Sequence, residues 1–301
     1  IPPRTYKTGI PHIHDVYIGD TKAPCPLAFS RGKIRLHMHS ANLEHEQKLF
    51  TAGYRLIAGL DEVGRGALAG PVSVGVAVLD QQNQQILEGL TDSKALTPKR
   101  REALIPRIQK WCSYAIGNTT PAEIDVLGMT YALRLAAQRA LADLAYRGLY
   151  PEVVLLDGKH DWLSPQPANL LDSIDPVYRR YEELLHRVWN GANSVVEKGW
   201  SGPVTTIIKG DYQCASIAAA SVVAKVDRDA FMESLSAENP HYGWAKNKGY
   251  GSVAHRQAIS EYGPSVYHRL SWSLPATEEQ LTNTRIGRSE VLKVSVEDGE
   301  S

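Results

Sequence analysis

Residues 55–79 read RLIAGLDEVGRGALAGPVSVGVAVL, and this stretch sets the architecture of the chain. Residues 55–60 and 71–79 are mostly apolar, whereas the segment between them is crowded with glycines. The pattern predicts a strand, a glycine-rich loop and a second strand. Two acids, Asp61 and Glu62, directly follow the first predicted strand.

Strand-like and helix-like segments alternate along the rest of the chain. Short apolar runs at residues 153–156 and 204–208 predict two further strands. The Thr-Pro pairs at residues 97–98 and 120–121 predict helix starts, because threonine caps a helix well and proline is tolerated in its first turn. The alanine-rich run at residues 215–232 predicts a helix that packs closely on a sheet. Together these segments indicate an α/β or mixed α+β domain.

Both ends of the chain lack the sustained apolar periodicity of a folded segment. Residues 1–51 are therefore expected to form a flexible N-terminal extension, and residues 275–301 a disordered acidic tail. The folded part is expected to be a single domain at residues 52–274.

The net charge of zero argues against a strongly basic nucleic-acid binder, since 33 Lys and Arg residues balance 33 Asp and Glu residues. The charge is unevenly spread, however, because residues 92–110 carry six basic side chains against two acids. The run Lys99-Arg100-Arg101 in that segment is typical of a solvated helix face, and contact with a nucleic-acid backbone is the alternative.

The three cysteines are widely separated and odd in number, so they are expected to be free thiols in a reducing compartment. This indicates a cytoplasmic protein. The apolar runs are far shorter than the roughly 18 residues of a membrane span, so no membrane association is expected.

Acidic residues follow three of the predicted strands. Asp61 and Glu62 follow the first, and Asp157 and Asp211 follow two later ones. Acids at strand ends can converge on one pocket, where divalent cations make their mutual repulsion tolerable. Mg²⁺ or Mn²⁺ suits such oxygen ligands, and two ions roughly 3.5–4 Å apart suit in-line attack on a phosphodiester. The alternative is that each acid forms a turn or caps a helix, and spacing alone leaves both possibilities open.

Several longer motifs occur in order along the chain. They are Asp61-Glu62-Val63-Gly64-Arg65-Gly66, Asp92-Ser93-Lys94-Ala95-Leu96, Leu156-Asp157-Gly158, Lys209-Gly210-Asp211, Lys248-Gly249-Tyr250-Gly251-Ser252 and Tyr267-His268-Arg269-Leu270-Ser271-Trp272. In this order they resemble the type 2 ribonuclease H family, and bacterial ribonuclease HII in particular. The resemblance implies an α/β fold: a ribonuclease H-like mixed sheet flanked by helices, with a small C-terminal helical part. It makes residues 52–274 the catalytic domain.

The resemblance also implies roles for ten residues. The family's metal-binding and catalytic acids match Asp61, Glu62, Asp157 and Asp211, the same four that the strand-end pattern singled out. The clamp that senses a ribonucleotide matches Gly64, Arg65 and Gly66, together with Tyr250, and contacts to a substrate phosphate are expected of Ser93 and Lys94. Such a clamp suits its task, because at a given position only the 2′-hydroxyl distinguishes RNA from DNA.

The implied activity is hydrolysis of the RNA strand of RNA–DNA hybrids and cleavage on the 5′ side of ribonucleotides embedded in duplex DNA. Two Mn²⁺ or Mg²⁺ ions would take part, and the products would carry 3′-hydroxyl and 5′-phosphate ends. No protein partner is implied. The alternatives are a metal-dependent DNA nuclease or recombinase of the same fold, and a catalytically silent nucleic-acid-binding protein.

The chain departs from the family pattern between Asp157 and Asp211, which lie 54 positions apart. The family joins these acids by a shorter connection, so residues 163–200 are expected to be an insertion that contains a helix at residues 178–189. The apolar face of that helix would comprise Tyr181, Leu184, Leu185 and Val188.

Other reactive side chains are expected to have structural roles. Lys225 and Asp229 lie four positions apart on a predicted helix, which favours an ion pair. Cys214 is expected to be a small buried hydrophobe rather than a metal ligand. His255 and His268 are expected to pack or to position substrate rather than to transfer protons.

Overall fold

The computed structural model describes residues 41–82, 85–165, 174–190 and 199–297, with side chains as far as residue 289. The described residues from 41 to 285 form one compact unit, and the described residues 286–297 belong to a second. Among the described helices, none combines the length and the apolar character that a membrane span requires.

Five strands form one mixed sheet in the order β3-β2-β1-β4-β5. Their bounds are β1 (Leu56–Val63), β2 (Val72–Asp80), β3 (Ser113–Thr119), β4 (Val153–Asp157) and β5 (Val204–Ile207). Strands β1, β2 and β3 pair antiparallel, whereas β4 pairs parallel with β1 and with β5. The predicted strand, glycine-rich loop and strand are thus β1, the loop after it and β2, at the centre of the sheet.

Nine helices are described. Some of them flank the sheet, and others follow its last strand in the sequence. They are α1 (Glu44–Thr51), α2 (Pro98–Trp111), α3 (Pro121–Tyr146), α4 (Pro176–Trp189), α5 (Gly210–Gln213), α6 (Ala215–Glu238), α7 (Trp244–Asn247), α8 (Val253–Tyr262) and α9 (Glu278–Glu297). The Thr-Pro pairs begin α2 and α3 as predicted, with Thr97 and Thr120 as the caps. The predicted mixed sheet flanked by helices, with a helical C-terminal part, is confirmed.

Two layers of helices cover the two faces of the sheet. Alternate residues of β2 point to opposite sides: Val74 and Val76 pack with α3, whereas Ala77 and Leu79 pack with α2 and α6. Helix α6 lies unusually close to the sheet, because a Cβ added at Gly75 would collide with a backbone carbonyl of that helix. The alanine-rich sequence of α6 therefore allows the close packing that was predicted.

The folded part begins earlier than residue 52, so the predicted N-terminal boundary is wrong. Helix α1 occupies the end of the expected extension, and both Ala41 and Leu43 are buried. The main chain of Asn42 exchanges hydrogen bonds with that of Gln213 (3.1 Å) and Ala215 (2.8 Å). These partners lie more than 170 positions away, so local composition could not reveal them. Residues 1–40 lie outside the described part of the chain.

The predicted disordered tail at residues 275–301 is also wrong over most of its length, because α9 runs from Glu278 to Glu297. Thr277 and Gln280 form a capping box. The main-chain N–H of Gln280 donates to Thr277 Oγ1 (3.2 Å), and the main-chain N–H of Thr277 donates to Gln280 Oε1 (2.8 Å). That Thr-x-x-Gln pattern was a visible helix-start signal. Residues 298–301 lie outside the described residues.

The predicted helix in the insertion is confirmed as α4, which begins two residues early because Asp175 caps it and Pro176 follows. Tyr181, Leu184 and Leu185 are buried, as expected of the apolar face, and Val188 is half-buried. The helix packs on α3. Much of the rest of the proposed insertion, residues 166–173 and 191–198, lies outside the described residues.

Glu46 ties α1 to the start of α6. Its Oε1 atom accepts hydrogen bonds from the Ser216 amide (2.9 Å) and from Ser216 Oγ (2.7 Å). The side chain is fully buried, and its Oε2 atom has no hydrogen-bond partner among the described residues. Burial therefore raises the pKa of Glu46, and the bonds from Ser216 oppose this only in part.

We expect Glu46→Ala to lower the free energy of unfolding by about 2 kcal/mol or more, because the buried donors of Ser216 lose their acceptor. Glu44→Ala, on the exposed side of the same helix, is the matched control and should cost less than about 1 kcal/mol. Urea unfolding of the full chain measures both. Equal losses would show that Glu46 does not anchor α1.

A pH dependence follows from the raised pKa of Glu46. Because the folded state holds the proton more tightly than the unfolded chain, the associated stabilisation is present at low pH and is lost as the pH rises through the raised pKa. Glu46→Gln keeps an acceptor for Ser216 and cannot ionise. Its stability relative to wild type should therefore increase as the pH rises from the usual carboxyl range through the raised pKa of Glu46, as followed by thermal melting. A difference that is constant over this range would contradict the assignment.

Candidate active site

The sheet brings the four predicted acids to one end of three neighbouring strands. Asp61 and Glu62 are among the last three residues of β1, and Asp157 is the final residue of β4. Leu60 pairs with Leu156 across these parallel strands, so Asp61 and Asp157 follow adjacent positions. Asp211 lies on α5, directly after β5. The acids thus belong to the strand ends themselves or to the turn that follows.

The acids are close enough to perturb one another. Burial, followed by the charges of Asp157, Glu62 and Asp211, raises the pKa of Asp61 well above its usual range, although a hydrogen bond with Ser221 opposes the shift. Burial and the charge of Asp157 raise the pKa of Asp211 to about 7. Burial also raises the pKa of Glu62, against the effect of Arg65. The cluster is therefore a site of like charges that repel one another.

Two of the acids are held by local donors. Asp157 Oδ1 accepts a hydrogen bond from the Gly210 amide (2.7 Å), and Glu62 Oε1 lies 3.3 Å from an Arg65 guanidinium nitrogen. Lys209 adopts a left-handed conformation (φ 56°), which is strained for a residue other than glycine, and so turns the chain from β5 towards α5. This local strain places the Gly210 amide against Asp157.

The donor set suits a hard divalent cation in its chemistry, since it consists of carboxylate oxygens whose repulsion such an ion would relieve. Within the described part of the chain, however, no three His, Cys, Asp or Glu side chains converge closely enough to enclose one ion. Glu62 is turned towards Arg65 and Asp157 towards Gly210. The residues therefore fit a cation by charge and atom type, and side-chain rotation would be needed to form a set of ligands.

Lys94 provides a positive charge beside the acids. It lies in a short 3₁₀ turn, Ser93–Ala95, and is exposed. Partial burial lowers its pKa, but the carboxylates of Asp61, Asp92 and Asp211 outweigh that effect and raise the pKa above its usual value. Lys94 thus offsets part of the negative charge of the cluster.

Ser93, by contrast, is buried. Its hydroxyl is hydrogen-bonded to Ser221 Oγ (2.9 Å), and its carbonyl accepts a hydrogen bond from Arg101 (2.8 Å). The predicted phosphate contact by Ser93 therefore finds no support in its placement, because the side chain is already engaged inside the protein. Ser93 instead joins the turn that carries Lys94 to α2 and α6.

A fifth acid, Asp92, belongs to the same cluster and was missed as a functional residue. It is buried, accepts a hydrogen bond from the Lys94 amide (2.8 Å) and another from the Tyr212 hydroxyl (2.8 Å), and helps to raise the pKa of Asp211. Asp92 begins the Asp92-Ser93-Lys94-Ala95-Leu96 motif, and Tyr212 directly follows Asp211. Their contact joins segments 120 positions apart, so no local pattern could indicate it.

The glycine-rich loop, residues 64–71, is held against the C-terminal part of the domain. The amides of Leu68 and Ala69 donate to the Gly249 carbonyl at 2.8 and 3.2 Å, and the Gly70 amide donates to the Tyr267 carbonyl at 2.9 Å. Ala67 also forms an isolated bridge with Tyr250. The predicted clamp and Tyr250 are therefore neighbours in space.

The three clamp residues and Tyr250 differ in how much free space surrounds them. Gly64 has a positive φ of 86°, and a Cβ there would collide with the buried Arg228 guanidinium. Open space surrounds the position of a Cβ on Gly66. The Arg65 side chain is 57% exposed and Tyr250 is 39% exposed, so both can reach a ligand at the surface.

The residues expected to have structural roles behave accordingly. The Lys225–Asp229 ion pair is confirmed, and Arg101 approaches the same carboxylate at 3.4 Å. Arg101 is therefore buried in an ion-pair network rather than displayed on the predicted solvated face, where Lys99 and Arg100 do lie exposed. Cys214 is completely buried.

His255 and His268 are also buried, as expected. Their Nε2 atoms lie 3.1 Å apart, and Trp244 Nε1 donates to His255 Nε2 (3.0 Å). His255 Nδ1 lies 2.9 Å from the Tyr250 carbonyl oxygen. This pair therefore packs against the segment that carries Tyr250.

The strand order and the carboxylates at one end of β1 and β4 define a hydrolase of the ribonuclease H class. A family model described as ribonuclease HII matches residues 58–274. The chain belongs to the ribonuclease HII family and is a ribonuclease H, which confirms the resemblance seen in the sequence motifs.

Similar proteins support the same assignment. Ribonuclease HII of Streptomyces avermitilis is 46% identical over 224 residues, which cover 74% of this chain and 79% of that one. Ribonuclease HII of Roseiflexus castenholzii is 39% identical over 234 residues, covering 76% and 87%.

Solved structures show the same fold. The crystal structure of ribonuclease H2 from Pyrococcus horikoshii OT3 has a TM-score of 0.51 and 26% identity, covering 76% of this chain and 99% of that one. The structure of Bst-RNase HIII in complex with Mn²⁺ has a TM-score of 0.52 and 22% identity, covering 77% and 70%.

We expect Asp61→Asn to reduce ribonuclease H activity by about a hundredfold or more while the melting temperature stays equal or rises, because the variant removes a buried charge that its neighbours repel. Asp143→Asn, which changes an exposed acid on α3, is the matched control and should leave both quantities unchanged. Cleavage rates and thermal melting of the two variants test this. Substantial residual activity in Asp61→Asn would contradict the assignment.

Proposed function

We propose that this enzyme is a divalent-metal-dependent endonuclease that cleaves on the 5′ side of ribonucleotides in duplex nucleic acid. Its substrates would be the RNA strand of RNA–DNA hybrids and single ribonucleotides embedded in DNA. The products would carry 3′-hydroxyl and 5′-phosphate ends. One observation supports the proposal: Glu62 of the carboxylate cluster contacts Arg65 of the glycine-rich loop, and Ala67 of the same loop forms a bridge with the exposed Tyr250.

The acids would hold the cation. We assign Asp61, Glu62, Asp157 and Asp211 as its ligands, with Mn²⁺ or Mg²⁺ as the ion and two ions in the catalytic complex. When bound, such ions activate water and stabilise the leaving oxygen of a phosphodiester. The mutual repulsion of the acids supports this assignment, because the cluster is costly unless positive charge offsets it. The Mn²⁺ in the Bst-RNase HIII structure is an ion of the chemical type that we propose.

The chain's own cations would receive the negatively charged backbone. Lys94 lies among the acids and is exposed, so it can hold a phosphate oxygen near the cluster. Arg65 bridges the loop and Glu62 and remains more than half exposed. These charges are local, which reconciles nucleic-acid binding with a net charge of zero.

The loop would distinguish RNA from DNA. The main chain at Gly64 and Gly66 permits close approach to a sugar, and the Tyr250 hydroxyl is a second group able to contact a 2′-oxygen. Arg228 lies 5.6 Å from the centre of the Tyr250 ring and supports it from below. Cleavage at a single embedded ribonucleotide follows if this contact is needed for turnover.

A cytoplasmic location would suit this role. Cys112 and Cys214 are both free thiols, which is typical of a reducing compartment.

A duplex that carries one ribonucleotide tests the proposal against its alternatives. We expect cleavage on the 5′ side of that ribonucleotide in Mn²⁺ or Mg²⁺, no cleavage of the matched all-DNA duplex, and loss of activity in EDTA. Product ends are identified by whether a ligase accepts them and by mass spectrometry. Equal cleavage of the all-DNA duplex would instead indicate a DNA nuclease, and binding without any turnover would indicate a silent binding protein.

A further inference from the structure

Two buried arginines beside the glycine-rich loop are hydrogen-bonded to main-chain carbonyls rather than to carboxylates. Arg228 and Arg269 are both fully buried, and neither forms an ion pair within the described part of the chain. Burying an unpaired charge is costly. Burial, followed by the neighbouring charge of Arg228, lowers the pKa of Arg269 to about 9. Such a costly arrangement calls for a role that an apolar side chain could not fill.

Arg269 donates its hydrogen bonds to the main chain of the loop. Its Nη2 atom donates to the Gly64 carbonyl (2.6 Å), and its Nη1 atom donates to the Arg65 carbonyl (2.8 Å). The same guanidinium also reaches the carbonyls of Gly70 and Pro71, each at 3.2 Å. One side chain is thus hydrogen-bonded to both ends of the loop.

Arg228 supports the loop from the neighbouring helix α6. It donates to the carbonyls of Pro71 (2.9 Å) and Ala69 (3.1 Å), and also to that of Lys248 (3.0 Å). Its guanidinium occupies the space that a side chain at Gly64 would need. The two arginines therefore fix the path of the loop from the inside.

The hydrogen bonds from Arg269 determine the direction in which the loop amides point. In a trans peptide the carbonyl and the following N–H point in opposite directions. Because the Gly64 and Arg65 carbonyls face Arg269, the amides of Arg65 and Gly66 face away from it. The later loop amides, those of Ala67, Leu68, Ala69 and Gly70, are bonded within the protein. The Arg65 and Gly66 amides have no partner among the described residues.

We propose that Arg269 is a positioning residue for ribonucleotide recognition, which turns the Arg65 and Gly66 amides outward as two donors for the 2′-oxygen of the substrate. Arg228 assists it from α6. The inference rests on the proposed function. Arginine suits the task because its planar fork of five donors satisfies several carbonyls at once, whereas lysine offers a single flexible point charge.

The test compares the affinity of the full-length Arg269→Lys variant for two duplexes that differ only in one 2′-hydroxyl, measured in Ca²⁺ after verifying that neither is cleaved. We expect the preference for the ribonucleotide duplex to fall by about tenfold, while affinity for the all-DNA duplex stays within about twofold. A substitution that merely destabilised the fold would lower the affinity for both duplexes. Thermal melting in the same buffer establishes that the variant is folded.

Arg134→Lys is the matched control. Arg134 is also buried, donates to the Trp162 carbonyl (2.9 Å) and lies over the Tyr131 ring at 5.5 Å. It belongs to α3, however, and lies 5.9 Å from the Tyr181 ring of α4, on the face of the sheet opposite α6. This variant should keep the ribonucleotide preference. If it loses the preference to the same extent as Arg269→Lys, the positioning role is overturned.

Hydrogen exchange of the wild-type enzyme tests the inference without any variant. The Arg65 and Gly66 amides should exchange rapidly in the free enzyme and become protected by the ribonucleotide duplex but not by the all-DNA duplex. Protection by both duplexes or by neither, or an unchanged preference in folded Arg269→Lys, overturns the inference. Equal wild-type affinity for the two duplexes would instead contradict the ribonucleotide sensing in the proposed function.

Discussion

Repulsion among buried carboxylates is the constraint on which the rest of this structure depends. Parallel pairing of β1 with β4 puts Asp61 beside Asp157, and the turn after β5 adds Asp211. The protein offsets this repulsion with an amide from Gly210 and a charge from Lys94, yet the pKa of Asp61 stays well above its usual range. Further positive charge would therefore stabilise the site. The fold holds the acids together even though they repel one another.

Rigid support of the site comes from segments that are remote in sequence. Helix α6 packs so closely on β1 and β2 that glycines are required where it touches them. Its start is anchored by Glu46 from α1, and its later turns deliver Arg228 to the loop. One helix therefore connects the N-terminal segment, the acids and the loop, which explains why the folded unit has to extend beyond the catalytic motifs.

Much of the fold followed from local patterns. The apolar runs, the glycines after Glu62 and the two Thr-Pro pairs predicted strands and helix starts, since such signals act over a few residues. The same holds for α4, whose apolar face was readable within the insertion. The predictions for the two ends are wrong because α1 contributes only a few buried residues, and because they take no account of the capping box at Thr277.

The sequence by itself determined the central strands, the helices with clear caps and the position of the four acids at or just after strand ends, because these depend on periodicity and on neighbouring residues. Only the tertiary structure decided that Asp92 joins the acids, that the Ser93 side chain is buried and that Arg269 is hydrogen-bonded to the loop carbonyls. Each of these depends on hydrogen bonds between residues about 120 to 205 positions apart. Such contacts arise only when the sheet and its helices have packed, so no periodicity in the chain encodes them.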